Sequence, residues 1–159
     1  MDIANDSSGV AVAEGSGRPA GMPWISPYLM VKDAAASLAF YEAAFGFETL
    51  NASPGPDGSI MHAKVGWRDG LFMIGPEGAY GGAALSPATR GIASPVALYV
   101  YCEDVDALCE RARAAGAVVE FPPTDTFWGD RLCKLTDLDG HDWNFATNHR
   151  GLLDASPPE

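Results

Sequence analysis

Basic side chains are scarce in this chain. Its 159 residues hold 10 Lys and Arg against 21 Asp and Glu, a formal net charge of −11. Proteins that track phosphates need clustered cations, so nucleic acid is not an expected partner. Cysteine is scarce too: Cys102, Cys109 and Cys133 form neither a CxxC pair nor an even set. That excludes a disulfide scaffold and a zinc ribbon and suits a reducing compartment. Cys102 and Cys109 fall inside an expected strand and helix, where they read as small buried hydrophobes. No apolar run has the length to span a bilayer. The chain opens with Asp2, Asp6 and Glu14 and no early basic residue, which is not a secretory pattern, and cytoplasm is the expected location. Histidine is limited to His62, His141 and His149, so no HxH or HxxxH ligand spacing exists. A GxSxG elbow is missing, and the glycines at 78 to 82 do not lie between strand and helix, which excludes a phosphate cradle.

What is present is a repeated pattern. Residues 1–22 are rich in Gly, Ala and Ser without periodicity and are expected to form a disordered tail. Order is expected from 23 to 149 as one domain, with a further tail at 150–159. Module one (24–76) reads as a strand at Ile25–Val31 and a helix from Ala34 to about Phe45, capped by Asp33 and stopped by Gly46. Strands follow at Phe47–Leu50, Ile60–Trp67 and Leu71–Ile74. Residues 77–95 form a linker rich in Gly, Ala and Pro. Module two (96–149) repeats the order: strand Val96–Tyr101, a helix capped by Asp104 and ended by Gly116, strand Val118–Phe121, then a hairpin. That hairpin lies in the densest stretch of the chain, Phe127–Asn148, and turns at Asp137-Leu138-Asp139-Gly140, where glycine can take the positive φ required. Leu38 and Leu108, Gly46 and Gly116, Asp69 and Asp139, and Gly70 and Gly140 share one offset of 70 positions (116 − 46, for example). Four anchors at one spacing mark an internal duplication. The expected fold class is α+β: two βαβββ modules in tandem, forming a curved mixed sheet with helices on the outer face.

The phrases "VKDAAASLAFYEAAFGFE", "MHAKVGW", "YCEDVDALCERARAAGAVV" and "FWGDRLCKLTDLDGHDWNFATN" resemble the vicinal oxygen chelate superfamily, which includes glyoxalase I, extradiol dioxygenases and bleomycin-resistance proteins. "MHA" together with "WGDR…DGHDW…AT" is most similar to its PhnB-like branch. The resemblance implies paired βαβββ modules and a homodimer. It also implies a divalent metal in the concave face of the enzymes, held by a His early in each first strand and a Glu four residues past each turn Gly. Carried onto this chain, those positions fall at Ser26 or Pro27, Val96 or Ala97, Ile74 and Asn144. None is His, Glu, Asp or Cys, and one amide does not hold a hard divalent cation.

The candidate ligand-binding residues are Tyr28, His62, Trp67, Tyr99, Tyr101, Trp128, Arg131 and Asn144. The tyrosines, Trp67 and Trp128 offer aromatic faces, Arg131 a fork for a ligand carboxylate or phosphate or a tie to Asp130 or a neighbouring strand, and Asn144 a pocket wall. Alternation puts Tyr28, Tyr99 and Tyr101 on one face with the former ligand positions, and Trp143 and Phe145 toward the helices. His141 is expected to bond locally within its turn, and His149 to be a solvated tail residue. No catalytic residue is identified; His62, which can exchange a proton near neutral pH, is the one candidate base. The expected function is binding without a metal or other cofactor: a degenerate member of the glyoxalase and bleomycin-resistance type that sequesters an aromatic or cationic small molecule, such as an antibiotic. The alternative is a metal-dependent lyase, isomerase or dioxygenase, with His62, Asp142 and Asn144 as the nearest set of divalent-metal ligands. A purely structural or partner-binding module is the third reading.

Overall fold

The computed structural model describes residues 17–149. The two expected tails lie outside the described residues over 1–16 and 150–159. The order is β1 (Tyr28–Val31), α1 (Ala34–Phe45), β2 (Glu48–Pro54), β3 (Ile60–Trp67), β4 (Gly70–Pro76), α2 (Pro87–Arg90), β5 (Ala97–Tyr101), α3 (Val105–Ala114), β6 (Val118–Asp125), β7 (Asp130–Thr136) and β8 (Asp142–Asn148). The α+β class and the tandem βαβββ modules are as the sequence implies. The strands divide into two four-stranded mixed sheets, β1-β4-β3-β2 and β5-β8-β7-β6.

Local chemistry accounts for the element ends. Asp33 accepts from the Ala36 amide at 3.0 Å and Asp104 from the Ala107 amide at 3.0 Å, each satisfying a donor that the helix start leaves open. Gly46 closes α1 at φ 73°, a left-handed turn that a side chain disfavours. β6 runs on through Pro122 and Pro123, beyond the expected end at Phe121. It can do so because β6 is an edge strand, and the pairing register with β7 shifts between Phe121 and Thr124, where the prolines have no amide to give. β1 starts later than expected, at Tyr28, after Pro27.

Both modules feed one core. Phe45 and Phe47 of module one pack on Trp143 and Phe145 of module two, with centroids 4.7–6.0 Å apart. All four rings are buried, which bears out Trp143 and Phe145 facing the helices. Cys109 and Cys133 are fully buried in the same core. Burial, with Cys109 alongside, pushes the Cys133 thiol up to about 12, and burial also raises Cys102 and Cys109, so none of the three is primed to react at neutral pH.

One register expectation is corrected. Tyr28 pairs with Met73 and Lys64 with Met73, whereas Tyr99 pairs with Asn144 and Lys134 with Asn144. The module-one counterpart of Asn144 is therefore Met73. Ile74 points the other way, into the core, and is fully buried. The cause is turn length: β3 and β4 close from Trp67 to Gly70, while β7 and β8 close from Thr136 to Asp142. A one-residue slip in a strand exchanges its faces.

Candidate functional site

The two modules meet along a seam between the edge strands β1 and β5, and each module's last hairpin reaches across it. At the module-two end the closure is tight. Asp139 accepts from the Lys32 amide at 2.8 Å and the Ser37 hydroxyl at 2.7 Å. Asp137 accepts from Tyr41 Oη at 2.8 Å and Trp143 Nε1 at 2.9 Å. His141 Nε2 donates to the Met30 carbonyl at 2.8 Å, capping the open edge of β1. The imidazole thus bridges the modules, where a bond within its own turn was expected; the sequence does not reveal this because the partner lies 111 positions away. The linker also docks here: the Ala88 amide donates to the Asp139 carbonyl at 2.9 Å, and Ser86, fully buried, anchors α2 by accepting from the Thr89 amide. A cavity of about 440 Å³ remains beneath it, bounded by Tyr28, Met30, Leu85, Ile92, Leu98 and His141.

At the module-one end the closure is loose. Trp67 Nε1 donates to the Tyr101 carbonyl on the edge of β5 at 3.0 Å, and Arg68 pairs with Glu103. No linker lies over this end, and an open cleft of about 560 Å³ results, within the ordinary range for sites that take drug-sized ligands. Trp67, Tyr99 and Tyr101 line it with accessible rings, and the buried rings of Phe47, Phe72 and Trp143 lie beneath; Leu71, Val96 and Leu98 are among the other apolar residues, and Arg68 and Asp69 are the charged ones. Just before Pro27, the Ser26 hydroxyl is shielded from solvent and bonded to no protein atom, so it is open to a partner from outside the chain.

The wall formed by β5 is braced from behind. Asp130, 2% exposed, accepts from Tyr99 Oη at 2.5 Å, Tyr101 Oη at 3.1 Å, Trp128 Nε1 at 3.1 Å and Asn148 Nδ2 at 2.6 Å. Burial alone would push this carboxyl up; the bonds from Tyr99, Asn148, Trp128 and Tyr101 outweigh it and hold it below the usual carboxylate range. The same contacts, after burial, push Tyr99 and Tyr101 above the ordinary tyrosine value. Both phenols therefore stay protonated and aimed at Asp130.

The expected site residues separate into groups. Trp67, Tyr99 and Tyr101 line the open cleft. Trp128 stands behind the tyrosines through Asp130, and its indole also reaches Tyr99 Oη at 3.4 Å. Asn144 lies beside Tyr99 and Lys134 in register. Tyr28 and His62 form their own pair in module one, Oη to Nδ1 at 3.2 Å, with Tyr28 at the second cavity. Arg131 stands apart on the helix side of β7. Its Nε and Nη2 bond both oxygens of Asp106 on α3 at 2.7 and 2.8 Å, and Nη1 bonds Asp125 at 3.1 Å. Of the two roles open to Arg131, the structure displays the structural tie. Asp130 was weighed in the sequence only as a partner for Arg131. Alternation along β7 held the missing signal: Cys133 and Leu135 mark the core face, so Arg131 shares it, and Asp130 falls on the opposite face with Lys134.

The donors do not fit a divalent metal. The family positions on the concave face are occupied by Ser26, Ala97, Met73 and Asn144, which offer one hydroxyl and one amide. Asp142 is paired with Lys134 at 2.8 Å and His62 with Tyr28. Among the described residues, no three His, Cys, Asp or Glu side chains converge.

Comparison with known proteins agrees with this architecture. The profile of the Glyoxalase/Bleomycin resistance protein/Dioxygenase superfamily matches residues 21–145. An uncharacterized protein of Mycobacterium bovis, Mb0911c, is 37% identical over 126 residues, covering 78% of this chain and 82% of its own. Rv0887c of Mycobacterium tuberculosis, also uncharacterized, is 37% identical over 78% of this chain and 74% of its own. Among solved structures, TioX from Micromonospora sp. ML1 superposes with a TM-score of 0.63 at 27% identity, covering 80% of this chain and 99% of its own. TnmS3, described as an antibiotic binding protein from Streptomyces sp. CB03234, superposes with a TM-score of 0.54 at 22% identity, covering 78% and 95%.

Proposed function

The chain belongs to the Glyoxalase/Bleomycin resistance protein/Dioxygenase superfamily, and from that premise we propose that it binds a flat aromatic small molecule in the open cleft without a metal and without transforming it. The observation that carries this reading is the asymmetry of the seam: the linker docks over one end and leaves a smaller cavity there, while the other end is a drug-sized cleft lined by the accessible rings of Trp67, Tyr99 and Tyr101. Stacking and apolar burial supply the affinity, and the braced tyrosines hold one wall in place before a ligand arrives, which lowers the ordering cost of binding. Among the described residues, the lack of converging ligand side chains and of an activated nucleophile supports holding over chemistry. TnmS3 illustrates the same fold in an antibiotic-binding protein. A homodimer, as the resemblance to the family implies, completes the reading.

The Tyr28–His62 pair favours a second reading, in which His62 acts as a base on a ligand held against module one. It ranks below the first because His62 does not border the open cleft.

A thermal-shift screen of planar aromatic compounds tests the proposal. Any compound that binds the folded state must raise its melting temperature, by about 2.7 kcal/mol of added stability at a hundredfold excess over Kd. A panel that leaves the transition unmoved overturns the binding reading.

A further inference from the structure

The cleft's polarity follows from an accounting of protons behind its tyrosine wall. A phenol has one proton to donate. Tyr99 gives its proton to Asp130 at 2.5 Å and Tyr101 gives its own to the same carboxylate at 3.1 Å. The Trp128 indole, which carries a single N–H, is spent on Asp130 and the Tyr99 oxygen. What this wall presents to the cleft is then electron-rich ring faces, on residues 43% and 49% exposed. Behind them sits a full negative charge that no Lys, Arg or His among the described residues neutralises; its four partners are all uncharged. A buried carboxylate without a cation is an expensive arrangement for purely structural bracing, since an amide could accept two of the same bonds without the charge.

Resting on the binding reading above, we infer that Asp130 is a specificity-determining residue that makes this cleft select planar organic cations, such as protonated aminoaromatics, and reject the corresponding carboxylates. A cation over Tyr99 and Tyr101 meets two ring faces whose hydroxyls are polarised toward a carboxylate. An anion finds no free donor on this wall, and Arg68, the one cation among the described residues that line the cleft, is paired with Glu103 and lies over the Trp67 ring.

The test is a charge series on one ring system: 9-aminoacridine, acridine and acridine-9-carboxylate at neutral pH, each titrated by fluorescence. The expected order of affinity is cation, neutral, anion, with the cation at least about tenfold tighter than the anion. The preference must survive in 0.5 M salt, because a partly buried charge is screened far less than the −11 of the whole surface. Asp130→Asn is expected to shrink the ratio of cation to anion affinity to about threefold or less, the ratio being read independently of any change in acridine affinity from the loosened wall. Cation and anion binding equally well overturns the inference while leaving the binding reading intact, and so does a preference that vanishes in high salt. That salt comparison needs only the wild-type chain, so it decides the matter even if Asp130→Asn does not fold. If none of the three probes binds, the inference falls together with the reading it rests on.

Discussion

The two hairpins that close this molecule descend from one pattern and do opposite work. The module-two turn is buried: Asp137, Asp139 and His141 are each below 9% exposed and hold Lys32, Ser37, Tyr41 and the β1 edge. The module-one turn, at Arg68 and Asp69, is exposed and reaches β5 mainly through one indole bond. Duplication gave the chain two equivalent seam ends. The linker could cover only one of them, and the uncovered one is the cleft. A cleft in this fold can thus arise from where a linker does not go.

The comparison breaks most visibly at the aspartates. Asp137→Ala leaves the Tyr41 hydroxyl and the Trp143 indole buried without an acceptor and opens the turn. It is expected to cost about 3–5 kcal/mol in chemical denaturation. Asp69→Ala, in the exposed turn, is expected to change stability by less than about 0.5 kcal/mol. Equal losses at the two positions would mean that both hairpins carry the seam.

A smaller difference is expected at the paired glycines. Gly140 has φ 82°, and a Cβ there would come 2.8 Å from the Ala88 amide nitrogen of the docked linker. Gly140→Ala is expected to cost about 1–3 kcal/mol and to raise amide exchange in residues 86–91. Gly70, with ordinary φ and its nearest neighbour at 3.2 Å, is expected to lose less than about 1 kcal/mol as Ala. Unchanged exchange in the linker of Gly140→Ala would detach α2 from the account of the closed end.

The modules also differ in acid. Asp130 is held below its ordinary value in the folded chain, so its contribution to stability is present above the usual carboxylate range, about pH 4, and is lost as pH falls through the lower folded value. Asp130→Asn is expected to flatten the stability profile below about pH 4 relative to wild type. Parallel profiles would show that the network does not favour the ionised carboxylate. The smallest effect is expected at Asp106→Ala, which frees Arg131 from an exposed, salt-screened ion pair: a barely measurable loss in chemical denaturation, with acridine affinity unaltered.

Much of the fold was legible because its causes are local. Asp33, Asp104, Gly46 and Gly140 each act within a few residues, and strand alternation sorts Trp143 and Phe145 from Tyr99 and Tyr101 without any tertiary knowledge. What a fixed 70-residue offset concealed was turn length, which moves Met73, not Ile74, onto the face of Asn144. The open cleft was legible only as an aromatic inventory. Trp67 and Tyr101 are separated by 34 positions and Tyr99 and Asp130 by 31, and no periodicity links residues that meet only through packing. His141 is the sharpest case: its neighbours in sequence suggested a turn, and its partner is the carbonyl of another module.

The most direct measurement is calorimetric titration of 9-aminoacridine into wild type and into Leu71→Trp, whose added ring would occupy the open cleft. The account predicts that the filled variant folds and loses at least about tenfold in affinity. A folded Leu71→Trp that binds as tightly as wild type would place the ligand elsewhere and contradict it.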